Sequence, residues 1–284
     1  MTQRVLAIHD LCSFGRCSLT MAMPVISAMG IQVCPFPTAW FSNNLTYGDF
    51  AFKDFTADMQ GFMKRWEQLG LHYDAIYSGF LADAAQVAVV EEAVKRFAGK
   101  DTLVVVDPAM GDDGKLYPVF DASMPLTMKS LVSRASLITP NYTEACLLLG
   151  RELQDPAEMP AVESKALRNL CEDLADLGAG QIVITSVPAG PEYIKVASFD
   201  RASAAFSELS VKRLPLTTCG TGDLFTSVVT GAVLNGRTLE AAVALAAQFA
   251  SFVIDYTCRS GQDSREGVVL EPCLKKLVEL TSRG

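Results

Sequence analysis

The chain has 284 residues, half of them apolar, and carries a formal net charge of −8. This length and apolar content allow a sizeable buried core. The excess of negative charge argues against nucleic acid or an anionic membrane surface as the main partner, so a site for a polyanion must be built locally from backbone dipoles and metal ions.

The first half of the chain alternates short apolar runs with helical patterns. Predicted strands cover residues 4–9, 31–34 and 75–78. The first of these is too short for the apolar region of a signal peptide. Pro24 lies inside the helical pattern that follows it and should kink or interrupt that helix. A second helical pattern runs from Asp83 to Gly99, and residues 102–106 are typical of a fully buried strand.

The second half repeats this alternation. Strands are predicted at 136–139 and 182–185, and the helical pattern between them stops at Gly178. An antiparallel hairpin is predicted to join 194–199 to 204–211, and two helices follow at 224–234 and 239–255. The last helix is the most apolar stretch, but Glu240 and Asp255 argue against a membrane span. No linker divides the sequence. We therefore expect one α/β domain over residues 1–284, built on a mostly parallel sheet.

Polar residues follow several of the predicted strands. In an open parallel sheet, ligands bind beyond the carboxyl ends of the strands. The pairs at these ends are His9–Asp10, Ser78–Gly79, Asp107–Pro108, Pro140–Asn141 and Thr185–Ser186. We therefore expect the functional site at this edge of the sheet.

The strongest local motif is Gly220-Thr221-Gly222-Asp223, directly before an apolar helix. The glycines let successive backbone N–H groups form an anion-binding nest at a helix N-terminus. Such a nest would stabilise charge on a transferring phosphoryl group, and Asp223 could accept the proton of the attacking hydroxyl. The alternative is a glycine-rich turn in which Asp223 only complements the helix dipole.

Two further segments carry carboxylates after buried strands. Asp107 begins one of them, and Asn141 with Glu144 forms the other. Carboxylates at such ends can hold Mg²⁺, directly or through water, beside phosphate oxygens. Asn141 and Glu144 are equally a helix-capping pair, and 112–114 is equally a turn.

Together and in this order, these segments resemble the ribokinase-like superfamily, and more closely its vitamin B6 branch, the pyridoxal and pyridoxamine kinases. The resemblance covers nearly the whole chain. It is carried by residues 5–10, 14–16, 41–43, 47–48, 77–81, 107–111, 139–144 and 220–223. The Gly-x-Gly-Asp motif marks only the superfamily, whereas its combination with the first two segments indicates vitamin B6.

The resemblance implies a three-layer α/β/α fold with a mostly parallel central sheet and an antiparallel edge hairpin. It also implies ATP with Mg²⁺ as donor, with a monovalent cation such as K⁺ as a further option, and the 5′-hydroxymethyl group of the vitamin as acceptor. A homodimer and a mobile loop at 111–118 are expected on the same ground. A cytoplasmic location is expected because the scattered cysteines are typical of reduced thiols.

The resemblance also assigns roles to individual residues. Asp223 would be the base, with Gly220, Thr221 and Gly222 as the anion hole. The metal would be held by Asp107 and Glu144. The nucleotide would contact the same two carboxylates together with Asn141, Thr185 and Ser186. The vitamin would contact Asp10, Asn44, Thr46, Tyr77 and Asp223.

The chain departs from the branch at three positions. Leu45 replaces a substrate-facing threonine, unless Thr46 supplies that hydroxyl, and Ser186 replaces a common lysine. Asp10 replaces a common serine, and its carboxylate could favour the cationic aminomethyl group of pyridoxamine. Alternatively, Asp10 caps the next helix or holds Arg16.

Two other functions stay open. One is a hydroxymethylpyrimidine kinase of thiamine synthesis, although that branch often carries cysteine at the position of Asp223. The other is a non-catalytic relative that binds vitamin B6. The eight cysteines form no C-x-x-C pair, which predicts reduced thiols and no zinc site. Cys219, beside the predicted anion hole, is either a structural thiol or one within reach of the pyridoxal aldehyde.

Overall fold

The computed structural model describes residues 2–154 and 159–282. Its strands are β1 (Arg4–Cys12), β2 (Gln32–Phe41), β3 (Phe52–Asp54), β4 (Ala75–Ser78), β5 (Leu103–Val106), β6 (Gly111–Asp112), β7 (Lys115–Leu116), β8 (Leu137–Ile138), β9 (Gln181–Pro188), β10 (Tyr193–Asp200) and β11 (Ala205–Lys212). Its α-helices are α1 (Leu19–Ala28), α2 (Thr56–Gln68), α3 (Ala84–Phe97), α4 (Met124–Val132), α5 (Tyr142–Leu149), α6 (Ser164–Ala175), α7 (Thr221–Leu234), α8 (Leu239–Ser260) and α9 (Leu274–Thr281).

The central sheet has nine strands in the order β11-β10-β9-β8-β5-β4-β1-β2-β3. Neighbours from β9 to β2 run parallel. At one edge, β10 and β11 form the expected antiparallel hairpin, and at the other β3 pairs antiparallel with β2. This confirms the predicted mostly parallel sheet with an antiparallel edge hairpin.

Each face of the sheet carries its own apolar core. Because side chains alternate along a strand, Leu6 and Ile8 of β1 pack with α2 to α6, whereas Val5 packs with α1 and α7 to α9. Fully burying each such side chain contributes roughly 1.5–3 kcal/mol. The result is three layers, with the sheet between two groups of helices.

Helix α1 runs through Pro24 without interruption, so the expected break is absent among the residues that the structure describes. Pro24 has no N–H to bond to the carbonyl four residues earlier, and the helix continues past this missing bond to Ala28. Pro35 and Pro37 lie in β2, where β3 has not yet begun to pair and the strand is an edge.

Helix α8 is long and apolar enough to cross a membrane by length and composition alone. Its residues Ala246, Phe249 and Val253 are fully buried in the core shared with α7. This packing is that of a core helix.

The segment expected as a loop at 111–118 contains a short hairpin. Gly111–Asp112 pairs with Lys115–Leu116, and the two residues between them have positive φ, 48° at Asp113 and 70° at Gly114. Such a tight turn matches the twist of the flanking strands. The hairpin is tied to α5, because the Thr143 hydroxyl accepts a hydrogen bond from Gly114 N–H at 3.0 Å.

Candidate active site

A cleft of about 1020 Å³ opens along the carboxyl ends of the strands and reaches the start of α7. It is lined by twelve of the thirteen predicted site residues: Asp10, Asn44, Thr46, Asp107, Asn141, Glu144, Thr185, Ser186, Gly220, Thr221, Gly222 and Asp223. The structure therefore brings together residues that lie more than two hundred positions apart in the chain.

Tyr77 is the exception, and its predicted contact with substrate is corrected. It is fully buried, and its ring packs edge-on against His9 with 4.3 Å between centroids. Tyr77 faces the α7 side of the sheet, as its place in that core shows. It therefore lies behind the cleft and supports His9.

Gly220 is the N-cap residue of α7, and its backbone lies in the left-handed region with φ of 82°. A Cβ at this position would stand 2.0 Å from the Arg16 carbonyl oxygen, so only glycine fits. Leu224 is the first residue whose N–H bonds back to Gly220. The amides of the preceding turn have no intrahelical acceptor and can donate to an anion in the cleft.

Asp223 is oriented by the backbone of a distant segment. Its Oδ2 accepts a hydrogen bond from Ser18 N–H at 2.8 Å, and its side chain is 17% exposed. Burial raises its pKa, with the Ser18 bond acting in the opposite direction. The nearest imidazole nitrogen, His9 Nδ1, is 3.8 Å from Oδ1. Because burial lowers the pKa of His9 to about 3, this ring stays neutral and adds no charge.

Ser18 also connects Asp223 to Asp10. Its hydroxyl donates to Asp10 Oδ1 at 2.6 Å, from a backbone with φ of 51°. Burial raises the pKa of Asp10 to about 7; the Ser18 bond opposes this, and the charge of Asp223 adds to it. The alternative in which Asp10 holds Arg16 is wrong, since the Arg16 guanidinium pairs with Glu271 at 2.8 Å. The capping alternative is partly correct: Asp10 does not cap α1 itself, but it accepts a hydrogen bond from Ser18, the residue that directly precedes this helix.

Asp107 and Glu144 are the two cleft carboxylates that were expected to face the metal. Asp107 Oδ2 accepts a 3.4 Å bond from Thr226 and lies beside Gly222. Burial, together with the charge of Asp223, raises the pKa of Asp107 to about 8. Both oxygens of Glu144 accept backbone hydrogen bonds, from Met110 at 3.0 Å and from Asn141 at 2.8 Å. Glu144 thus completes the capping box of α5 that the sequence left open.

These carboxylates suit a hydrated divalent cation. Among the described residues, no lysine or arginine forms an ion pair with Asp107 or Glu144. The same part of the chain contains no cluster of three or more side chains placed to hold a metal unaided. Mg²⁺ usually keeps several waters and binds through one or two carboxylates plus phosphate oxygens. The donor set fits that habit, with Glu144 limited to contact through water.

Thr185 and Ser186 enter the cleft at an irregularity of β9. Thr185 forms an isolated bridge with Asn141, and the register with β10 shifts at this point. Ser186 has φ of 54°, a sparsely populated conformation for a residue with a side chain. Strain of this kind often marks ligand sites.

Asn44 and Thr46 shape the opposite end of the cleft. Asn44 Nδ2 donates to the Arg265 carbonyl at 2.6 Å, and Asn44 Oδ1 accepts from both the N–H and the hydroxyl of Thr46. The Thr46 hydroxyl is therefore engaged within the protein. It does not replace the hydroxyl missing at Leu45.

Sequence reasoning missed several lining residues. Lys212, Arg213 and Arg265 are the basic side chains of the cleft. Near the first two lies an apolar wall made of Ile194, Val196, Val211, Phe225 and Ile254. The predicted hairpin could have indicated Lys212 and Arg213. Because β10 is antiparallel to β9 and β11 is antiparallel to β10, β11 runs in the same direction as β9 and ends at the same edge of the sheet.

Similar proteins carry two descriptions, phosphomethylpyrimidine kinase and pyridoxal kinase. The sequence model of the family described as phosphomethylpyrimidine kinase matches residues 25–267. A Bacteroides thetaiotaomicron protein assigned to the phosphomethylpyrimidine kinases, crystallised with pyridoxal, superposes with a TM-score of 0.92 at 38% identity, over 98% of this chain and 96% of that one. Pyridoxal kinase from Lactobacillus plantarum superposes with a TM-score of 0.88 at 29% identity, over 100% and 99%. The pyridoxal kinase of Rubrobacter xylanophilus is 29% identical over 268 residues, 90% of this chain and 88% of its own length.

Proposed function

Because this chain belongs to the phosphomethylpyrimidine kinase family, we propose that it is an ATP-dependent kinase that phosphorylates the 5′-hydroxymethyl group of a vitamin B6 compound. The observation that carries the proposal is the joint position of Asp223 and the N-terminus of α7 in one cleft. A base and an anion site must lie side by side for phosphoryl transfer to a hydroxyl. The pyridoxal in the Bacteroides relative supports the choice of vitamin.

In the proposed reaction, the vitamin hydroxyl attacks the γ-phosphorus of ATP while the bond to ADP breaks. Asp223 accepts the hydroxyl proton, for which its raised pKa suits it. Ser18 N–H holds the carboxylate in place through the 2.8 Å bond. The free amides at the start of α7 face charge that grows on the phosphoryl oxygens, and they do so without reorganisation.

Asp107 is the residue proposed to hold Mg²⁺ directly, with Glu144 acting through water. The ion, when bound, would neutralise charge on the phosphate groups. The fit is electrostatic: the pKa of Asp107 is raised to about 8 by burial and by Asp223, and a cation would reverse that shift. The Thr226 hydroxyl lies 3.4 Å from Asp107 Oδ2 and 2.9 Å from the Thr139 hydroxyl, and the same carboxylate oxygen lies beside Gly222.

The nucleotide is proposed to extend from the anion hole toward β11. Val211 and Phe225 offer an apolar surface for the base, and Lys212 and Arg213 offer charge for phosphates. This leaves the space around Asp10 and Asn44 for the vitamin.

A hydroxymethylpyrimidine kinase is the second candidate, favoured by the description of the matching family. Both acceptors are nitrogen heterocycles with a hydroxymethyl group, so the phosphoryl-transfer residues serve either. A non-catalytic binding protein is disfavoured, because Asp223 and the glycines Gly220 and Gly222 are all in place.

A homodimer is proposed from the resemblance to the vitamin B6 kinases. Exposed aromatic side chains around the β2–β3 edge support it: Trp40 is 51% and Phe52 is 62% exposed. Light scattering on the eluting peak of a size-exclusion column tests this, and a monomeric mass at micromolar concentration would remove it.

The substrate proposal is tested by ATP-dependent phosphorylation of pyridoxamine, pyridoxal, pyridoxine and hydroxymethylpyrimidine side by side, with products identified by mass. The expected outcome is 5′-phosphate formation from at least one vitamin B6 compound at a kcat/KM above that for the pyrimidine. The reverse order would establish the thiamine-pathway activity, and no product from any acceptor would refute kinase function.

A further inference from the structure

Three thiols gather at the vitamin end of the cleft. Cys12, Cys17 and Cys219 all line it, and all are free. Cys12 Sγ donates to the Phe14 carbonyl at 3.2 Å, and Asn44 N–H donates to the same carbonyl at 3.0 Å. Asn44 Nδ2 in turn donates to Cys219 Sγ at 3.3 Å. One small network thus joins three segments of the chain.

The backbone of Cys17 lies against the residue that follows Cys219. A Cβ on Gly220 would lie 3.4 Å from Cys17 Cα, so Cys17 contacts the backbone of Gly220, the immediate neighbour of Cys219. The Cys17 thiol is close enough to the thiols of Cys12 and Cys219 to lower the pKa of both. Disulfides form when the two Cα atoms are about 4.4–6.8 Å apart and the Cβ atoms face each other.

The surroundings also make one of these thiols reactive. Cys219 precedes Gly220, the N-cap residue of α7, and a helix N-terminus favours a thiolate. The nearby Cys17 thiol lowers the pKa of Cys219, as it does that of Cys12, although burial opposes both shifts. The pKa of Cys17 itself is raised. Cys219 is the one of the two low-pKa thiols that also lies at the start of α7. This pairs a nucleophilic thiolate with a nearby protonated thiol.

We propose that Cys17 and Cys219 form an oxidisable pair that switches the site off in the presence of hydrogen peroxide. The Cys219 thiolate attacks one peroxide oxygen, which breaks the O–O bond and gives a sulfenic acid and, after protonation, water. Cys17 then gives up its proton and its thiolate attacks that sulfur. The S–S bond forms, the S–O bond of the sulfenic acid breaks, and the leaving hydroxide takes the proton and departs as a second water. Two thiols and one peroxide thus become one disulfide and two waters.

The bond would disturb the residues that follow each cysteine. An S–S bond is about 2.05 Å long, much shorter than a thiol–thiol contact, so closing it pulls the two segments together. Ser18, next to Cys17, holds both Asp10 and Asp223, and Gly220, next to Cys219, begins the anion hole. A misplacement of about 1 Å in such a site lowers the rate by about a hundredfold. This effect on rate rests on the proposed kinase function, whereas formation of the disulfide does not.

The test is peroxide treatment of the whole protein, followed by alkylation and peptide mapping without reductant. The expected result is a peptide pair linked through Cys17 and Cys219, with kinase activity lost by tenfold or more and restored by dithiothreitol. Cys17→Ser and Cys219→Ser should each prevent the link and the reversible loss. The matched control is Cys258→Ser, at an exposed cysteine of α8, which should behave as the parent.

Mapping that finds both cysteines alkylated in peroxide-treated parent, or Cys17 linked to Cys12, overturns the proposal. Reversible inactivation that persists in Cys17→Ser overturns it as well. Because mapping needs no activity, a linked pair in a protein without kinase activity would count against the proposed function alone.

Discussion

Replacing Asp10 with asparagine tests how the cleft chooses among vitamin B6 compounds. The substitution keeps the size of the side chain and its capacity to accept the 2.6 Å bond from Ser18, but removes the charge. Pyridoxamine carries an aminomethyl group that is cationic near neutral pH, whereas pyridoxine carries a hydroxymethyl group there. We expect the preference for pyridoxamine to fall in Asp10→Asn.

The size of the effect follows from the charge and its titration. A hydrogen bond to a charged group contributes about 1.5–3 kcal/mol net, or roughly ten- to a hundredfold in kcat/KM. The pKa of Asp10 is about 7, so the carboxylate is ionised above that pH and protonated below it. The parent's preference should therefore rise between pH 6 and pH 8, while the ratio in Asp10→Asn stays flat.

The assay compares kcat/KM for pyridoxamine and pyridoxine in parent and variant across this pH range. Asp101→Asn, at an exposed turn between α3 and β5, is the matched control for loss of one negative charge. An equal fall for both substrates, or a ratio that does not change with pH in the parent, would show that Asp10 only supports the start of α1.

Three further outcomes are expected. Asp107→Ala should raise the magnesium-ATP concentration needed for half-maximal rate more than it raises the vitamin concentration needed. Separate titrations of the two substrates check this. A change confined to the vitamin would place Asp107 at the vitamin end of the cleft and contradict its role at the metal. Gly220→Ala should lower kcat at least tenfold, because the new Cβ would lie 2.0 Å from the Arg16 carbonyl oxygen. Initial rates at saturating concentrations of both substrates measure this effect. A kcat equal to that of the parent would contradict the assignment of Gly220 to the anion hole. Finally, because burial raises the pKa of Asp10 above its unfolded value, ionisation destabilises the fold, and this penalty grows until the pH passes about 7. The unfolding free energy of Asp10→Asn minus that of the parent should thus increase by about 2–3 kcal/mol between pH 5 and pH 8, as measured by urea titrations. A difference that stays constant over this range would refute the raised pKa of Asp10.

Strands with strong apolar patterns were predictable from the sequence. The run at 75–78 is β4 as predicted, and Asp107 follows the end of β5 into the cleft. Strand β9 continues to Pro188, three residues past its predicted end, so Thr185 reaches the cleft from the irregularity within that strand. A buried parallel strand is a local pattern, and the rule that ligands bind at carboxyl ends then locates the site. The rule accounts for the strand-end residues among the twelve that line the cleft, whereas Asn44 and Thr46 were predicted from the family resemblance alone.

What the sequence could not predict depends on contacts between distant segments. The role of Ser18, which joins Asp10 to Asp223, needs a loop near the N-terminus to meet the start of α7. The meeting of Cys17 with Cys219 has the same origin, and no spacing rule relates them. Tyr77 was misplaced because the motif gave its position at a strand end, but not the face of the sheet toward which its side chain points.

The rate of phosphoryl transfer in Asp223→Asn tests the central claim most directly. The variant keeps the size of the side chain and an oxygen for the Ser18 N–H, so it should fold as the parent does and still bind both substrates. Loss of a positioned base lowers the rate by about 10²–10⁴, or roughly 3–5 kcal/mol of barrier. We predict a fall of that size in kcat at saturating ATP and vitamin, with an unchanged thermal unfolding midpoint. A purified, folded variant with near-parental kcat would contradict the assignment of Asp223 as the base.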